Sequence, residues 1–281
     1  MAKQIIKRDK KVAKVKVIDG VNGLESEVNQ KPSALFVNIS ANGPGFDQAQ
    51  FDIIKTFVEN TTEPHLIIPS SKDVLKTLDI MDPGKKQLRN YLESEVAAKR
   101  IKISYLFTNK EFSADSIAWT RDYAPIKIYN GKKKKFELIA FKYRKATVKD
   151  QSGYNSGMRY IEDAQERVAK ILKLDLMRSD LYAEGGNMLA SGSGNVYIST
   201  ALIDNNPLKT KLEIEEELIR LGLGNKIVWI TKLPRKLEPT GHVDLIMRFI
   251  DDRRVIVPSS SNKSLNSALN KVVKELEESG L

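Results

Sequence analysis

Three four-residue stretches hold the residue types that could do chemistry: Trp119–Asp122 (WTRD), Glu184–Asn187 (EGGN) and Gly241–Asp244 (GHVD). Each sets a carboxylate beside glycine, an aromatic ring or histidine. Asp122, Glu184 and Asp244 supply three acids, and His242 supplies an imidazole. A guanidinium is flat, delocalised and permanently charged, and carboxylates hold it through paired, charge-assisted hydrogen bonds. Imidazole is the side chain that gains and loses a proton near neutral pH. The set is therefore suited to gripping a planar cation and moving protons around it. Gly185 and Gly186 after Glu184, and Gly241 before His242, permit a sharp turn or close approach of a ligand. Asn187 closes the second stretch. His242 and Asp244 are two residues apart, so on a strand they would face the same side. The nucleophile expected beside such a group, a cysteine, is missing: the sequence contains none.

Each stretch alone also has a plain structural reading. Asp122 could pair with an arginine, Glu184-Gly185-Gly186 could be a tight turn, and His242 could be a satisfied buried group. It is their joint occurrence that points to a site.

The elements that must position these residues are read from periodicity. Leu35–Ile39, His65–Ile68 and Ile101–Phe107 are short apolar runs that read as strands. Phe46–Val58, a segment capped by Ser70 and Ser71 and running through Leu78, and Lys85–Lys99 read as helices, with a break at Asn42–Gly45. Two strands follow Trp119, at Ala124–Tyr129 and Phe136–Phe141, then a helix near Gly157–Leu172. Asn187–Ala190 and Asn195–Thr200 read as a hairpin, Lys209–Leu221 as a helix and Ile227–Ile230 as a strand. Val243–Ile250 pairs with Arg254–Val257, and Asn262–Glu278 is a helix stopped by Gly280. A further short strand is expected at Val12–Ile18. Strand, strand, helix, strand recurs. Hairpins mixed with single strands argue against a doubly wound parallel sheet. The charged, turn-rich residues 1–33 read as a basic arm and 34–281 as one domain, since no Pro- or Ser-rich linker divides them.

The formal charge is +10, which raises the question of nucleic acid. The lysines are scattered, however, and few aromatics lie among them for base stacking. Lys132–Lys135 follows Asn130-Gly131 and reads as a solvated hairpin tip. No apolar run is long enough to cross a bilayer, and the basic N-terminus lacks the apolar core of a secretion signal. A cytoplasmic protein is expected.

The residues resemble a known family, the agmatine deiminases and bacterial peptidylarginine deiminases. WTRDYAPIKIYN (Trp119–Asn130) is similar to the family's first acidic motif, EGGNMLASGSGNVYISTALIDNNP (Glu184–Pro207) to its second, and the stretch from Lys226 to Val257 containing TGHVD to its histidine motif. The resemblance covers most of Leu35–Leu281. It implies an α/β fold, a pseudo-fivefold α/β propeller of ββαβ modules with the last module incomplete. It implies that Asp122 and Asp244 hold the guanidinium, that Glu184 supports the site, and that His242 carries protons to the leaving amine and from water. Trp119, Gly185, Gly186, Asn187 and Gly241 would line the substrate position. No metal or other cofactor is implied. The expected ligand is agmatine or an arginine-containing peptide, with neither membrane nor nucleic acid as partner and a homo-oligomer left open.

The family's cysteine thiolate would attack the guanidinium carbon to form a covalent thiouronium. It belongs in the module after the helix Asn262–Glu278, and the sequence stops at Leu281. The chain as given is therefore expected to be catalytically silent, as a fragment of a hydrolase or an inactive relative. A non-catalytic guanidinium-binding protein is the first alternative, and a basic nucleic-acid-binding protein a second, weaker one. Arg144 reads as a surface arginine rather than a contact for a substrate carboxylate.

Overall fold

The computed structural model describes residues 23–24, 34–37, 39, 48–70, 73–77, 83–107, 120–143, 163–191 and 193–281. Val12–Ile18, Asn42–Gly45, Trp119 and Arg144 lie outside the described residues. In chain order the elements are β1 (Gly23–Leu24), β2 (Ala34–Phe36), α1 (Gln48–Asn60), β3 (His65–Ile68), α2 (Val74–Thr77), α3 (Pro83–Ala97), β4 (Lys102–Tyr105), α4 (Thr120–Tyr123), β5 (Ile126–Asn130) and β6 (Lys135–Lys142). Then come α5 (residues 163–172), β7 (Asp175–Tyr182), a 3-10 turn at Gly185–Asn187, β8 (Met188–Ala190), β9 (Asn195–Ser199), α6 (Ala201–Asn205) and α7 (Lys211–Arg220). β10 (Lys226–Ile230), a second 3-10 turn at Val243–Leu245, β11 (Arg248–Asp251), β12 (Arg254–Ile256) and α8 (Lys263–Ser279) complete the order. Among the described residues no helix is long and apolar enough to cross a membrane.

The chain divides into two compact units. The smaller takes Lys31–Ala124 and Ala146–Lys173. Its strands alternate with helices and form an all-parallel sheet in the order β2-β3-β4. Parallel neighbours need a crossover, and α1 supplies one while α2 and α3 lie in the next. A strand covered on both faces reads as an unbroken apolar run, and in β3 Leu66, Ile67 and Ile68 are all buried. Phe51, Ile54, Phe57 and Val58 of α1 and Leu88 and Leu92 of α3 pack in the same core. α4 is held by Tyr123, whose ring meets Phe36 edge-on at 5.8 Å. The buried Gln165 amide donates to the Tyr123 carbonyl at 2.9 Å.

The larger unit takes Met1–Gln30, Pro125–Lys145 and Leu174–Leu281. Here the strand, strand, helix, strand pattern appears as modules. β5 and β6 pair antiparallel and β7 returns parallel to β6. β8 and β9 pair antiparallel and β10 returns parallel to β9. β11 and β12 form a third antiparallel pair, followed by α8. One core joins the first two groups of strands and α7, and a second lies under α8, where Leu269, Val272, Val273 and Leu276 are buried. Each such side chain contributes about 1.5–3 kcal/mol relative to exposure.

The ends of elements follow local chemistry. Asn262 caps α8 by accepting from the Leu265 amide at 3.2 Å, and Gly280 stops it at φ 101°. Thr210 and Glu213 cap α7 reciprocally. Asn206 pins the end of β7, accepting from the Tyr182 amide and donating to the Tyr182 carbonyl.

One strand was not foreseen, and one is shorter than expected. β7 carries no sequence expectation at all. Its residues, DLMRSDLY, include no β-branched residue and three charges, and only Ser179 and Leu181 are buried. Pairing with β6, rather than propensity, makes it a strand. The strand expected over Val243–Ile250 begins only at Arg248, because Val243–Leu245 winds into a turn. At the Lys132–Lys135 tip the turn covers residues 131–134 and Lys135 already opens β6, and two of these lysines are engaged. The fully buried Glu137 accepts from Lys133 Nζ and Asn130 Nδ2, both at 2.7 Å, with Lys135 at 3.7 Å.

Burial alone would push the Glu137 carboxyl up; the Lys133, Asn130 and Lys135 contacts outweigh it and hold it below the usual value. A carboxylate whose folded-state pKa is lowered stabilises above its unfolded value and loses that contribution as pH falls through the folded one. Glu137→Gln is therefore expected to cost about 1–3 kcal/mol at pH 7. Urea unfolding should show the gap between wild type and variant closing as the solution is acidified below the ordinary carboxylate range.

Candidate functional site

β7 ends at Tyr182, and the chain continues extended through Glu184 (φ −116°, ψ 145°) into the 3-10 turn Gly185–Asn187. The Asn187 side chain closes this turn on itself: its Oδ1 accepts from the Glu184 amide at 3.0 Å, and the Asn187 amide donates to the Glu184 carbonyl at 2.9 Å. Asn187 is fully buried and its Nδ2 lies 3.5 Å from the Gly241 carbonyl, linking the EGGN and GHVD loops. The glycines work differently from one another. Neither Gly185 nor Gly186 adopts a positive φ, so the turn itself does not demand glycine. Gly186 is required by space: a Cβ there would sit 2.5 Å from Nδ1 of His242 and 2.7 Å from its Cγ. The backbone thus lies flush against the imidazole. Gly241 is required twice, by a left-handed φ of 72° and by the Ala201 Cβ, which an added Cβ would meet at 2.6 Å.

These two loops bring the imidazole to the carboxylate. His242 Nε2 and Glu184 Oε2 are 2.6 Å apart, and each side chain is only 7% exposed. The contact is a short hydrogen bond between buried partners. It holds the ring in a defined orientation, which a proton-transfer histidine needs.

Asp244 follows on the second 3-10 turn, Val243–Leu245, with its side chain 8% exposed and Arg248 Nη2 at 3.8 Å. The same-face argument for His242 and Asp244 assumed a strand. His242 is instead the extended residue that opens the turn, and Asp244 lies within it. A 3-10 helix has about three residues per turn, so alternation does not align the pair. Asp122 belongs to the smaller unit, on α4, and is half-buried. Trp119 lies outside the described residues.

One residue of this region was not singled out from the sequence. Glu238, 7% exposed, accepts from the Thr240 amide at 2.8 Å and the His242 amide at 3.0 Å, and also from the Gly241 amide and the Thr240 hydroxyl. Its signal is the order Glu-Pro-Thr-Gly: an acid placed two to four residues before a run of backbone N–H groups that no strand will use.

The three stretches also share a place in the chain. α4 directly precedes β5, the Gly185–Asn187 turn precedes β8, and the Val243–Leu245 turn precedes β11. Each is a short helical turn before the first strand of an antiparallel pair. Such a recurrence marks related modules whose side chains have diverged.

Known proteins bear on this arrangement. A protein of Vibrio parahaemolyticus provisionally named agmatine deiminase is 26% identical over 166 residues, covering 56% of this chain and 45% of its own length. A Listeria monocytogenes protein with the same provisional name is 25% identical over 207 residues, covering 64% and 54%. The chain spans about half the length of these relatives. Among solved structures, the agmatine deiminase of Enterococcus faecalis matches 92% of the chain and 66% of its own at a TM-score of 0.65 and 18% identity. That of C. jejuni matches 92% and 72% at 0.63 and 18%. At such identities the likeness establishes the fold, and the expected class, α/β modules of the guanidino-modifying propeller type, is the fold of these neighbours. The family model for Porphyromonas-type peptidyl-arginine deiminase matches residues 77–280. Because that match runs unbroken through the WTRD, EGGN and GHVD loops and takes in well over half of the sequence, the chain belongs to the Porphyromonas-type peptidyl-arginine deiminase family.

Proposed function

We propose that this chain binds a guanidinium group, that of agmatine or of an arginine side chain, on a deiminase scaffold. The observation that carries the reading is the buried 2.6 Å contact between His242 and Glu184. Desolvating an imidazole and a carboxylate is offset by their mutual hydrogen bond, and the pair supplies an oriented proton carrier. His242 would deliver a proton to the departing amine and take one from the incoming water. Glu184 would stabilise the charged ring between the two events. Asp244 and Asp122 are the carboxylates proposed to hold the guanidinium. The backbone at Gly186 sets where the ring lies.

The deimination reaction of the family proceeds through a thiolate that forms and then breaks a bond to the guanidinium carbon. The sequence has no cysteine, and serine or threonine hydroxyls are poor nucleophiles toward a resonance-stabilised cation without a strong base. For the 281-residue chain we therefore propose binding without turnover.

Agmatine, or a short arginine-containing peptide, is expected to raise the melting temperature. The gain approaches about 2.7 kcal/mol at a ligand concentration of 100 Kd. Asp122→Ala and Asp244→Ala should each abolish the shift while the variants remain folded. A folded wild type that responds to no guanidine sinks the proposal. Gly186→Ala tests the ring's placement: its methyl displaces the imidazole, and agmatine binding should weaken about tenfold or more. Ammonia release from agmatine by the purified chain should stay at background, and measured turnover would overturn the need for a thiol.

A further inference from the structure

We propose that Glu238 is the positioning residue for His242, aiming the imidazole at Glu184 through the backbone rather than through the ring. The segment from Thr231 to Gly241 belongs to no strand or helix, so no ladder sets its path. At the end of the segment that leads into His242, Glu238 holds the backbone with one carboxylate. Oε1 accepts from the Thr240 amide at 2.8 Å and from the Thr240 hydroxyl. Oε2 accepts from the Gly241 amide and, at 3.0 Å, from the His242 amide. The Thr240 hydroxyl oxygen in turn receives the His242 amide at 3.3 Å. Three consecutive peptide groups are thus gathered on one buried side chain.

The arrangement fixes the conformation that matters. Gly241 sits at φ 72° with no room for a Cβ against Ala201. Glycine reaches a left-handed φ without strain but is free to leave it, and here both its own amide and the next are held by the same oxygen. His242 then enters its site with one face on Gly186 and Nε2 on Glu184. Neither of those contacts sets the height of the His242 Cα, whereas Glu238 does. A displacement on the order of 1 Å is enough to impair a proton-transfer geometry.

The ligand half of this inference rests on the proposed guanidinium binding; the geometric half does not. The experiment compares wild type, Glu238→Gln and Glu275→Gln. Glu275 is the control: in the same unit it accepts from the Thr231 amide at 2.8 Å and the Thr231 hydroxyl at 2.5 Å, but touches neither motif loop. Both variants should lower the melting temperature. The chain has two histidines, so the His242 Cε1–Hε1 cross-peak is readily followed by NMR and assigned with a His65→Gln variant. Glu238→Gln is expected to move that cross-peak and to weaken agmatine binding about tenfold or more, while Glu275→Gln changes neither. If the two variants are indistinguishable in both readouts, Glu238 is merely structural and the inference falls. If wild type does not bind agmatine, the guanidinium proposal fails and the cross-peak alone decides Glu238. Should Glu238→Gln fail to fold, Glu238→Asp, which keeps the charge and shortens the reach, is read in the same way, and an unmoved cross-peak overturns the inference.

Discussion

The hydrogen bond between His242 and Glu184 is the contact around which the larger unit is arranged. An imidazole and a carboxylate that are each almost wholly removed from water are stable only as partners. Their meeting makes demands on residues 58 positions apart in sequence. Gly186 must lack a side chain, Gly241 must turn left-handed, Asn187 must tie one loop to the other, and Glu238 must hold the amides that precede and include His242. None of these demands is a hydrophobic one. They are met inside a scaffold whose stability comes from elsewhere, from the cores under α7 and α8.

The modular pairing explains how a scaffold can satisfy them. An antiparallel pair followed by a crossover to a parallel strand brings the chain back to the start of the next pair. In the larger unit β7 leads into the EGGN turn and β10 leads, through the Glu238 loop, into the GHVD turn. Repeating the unit therefore repeats the position at which a functional turn is offered. What differs between repeats is the residue placed there: Asp122 in one, Glu184 in the next, His242 and Asp244 in the last. The variety lies in the turns, and the strands need only keep their pairing.

Much of this was legible in the chain because the relevant forces are local. The α8 boundaries follow from Asn262 and Gly280, whose capping chemistry involves residues within one turn. The hairpins at β5–β6 and β8–β9 follow from apolar segments separated by turn residues. β7 was illegible for the opposite reason. Its polar sequence has no strand preference, and its conformation comes from hydrogen bonds to β6, which lies more than thirty residues earlier. The shortened β11 is a similar case, since the apolar residues Val243, Ile246 and Met247 are buried from a turn rather than from a strand. Lys133 and Lys135 look like solvated charges until Glu137 is seen buried beneath them.

The sequence alone determined the chemistry on offer: three acids and an imidazole in three short stretches, two of them carrying glycine, and no thiol. Those are properties of residue type and spacing, which the chain displays directly. Only the tertiary structure decided that Glu184 is bonded to His242, that Gly186 is glycine for the sake of the ring rather than of the turn, and that Glu238 holds the loop. These depend on distances between segments far apart in the chain. No local propensity encodes a distance of that kind; packing does.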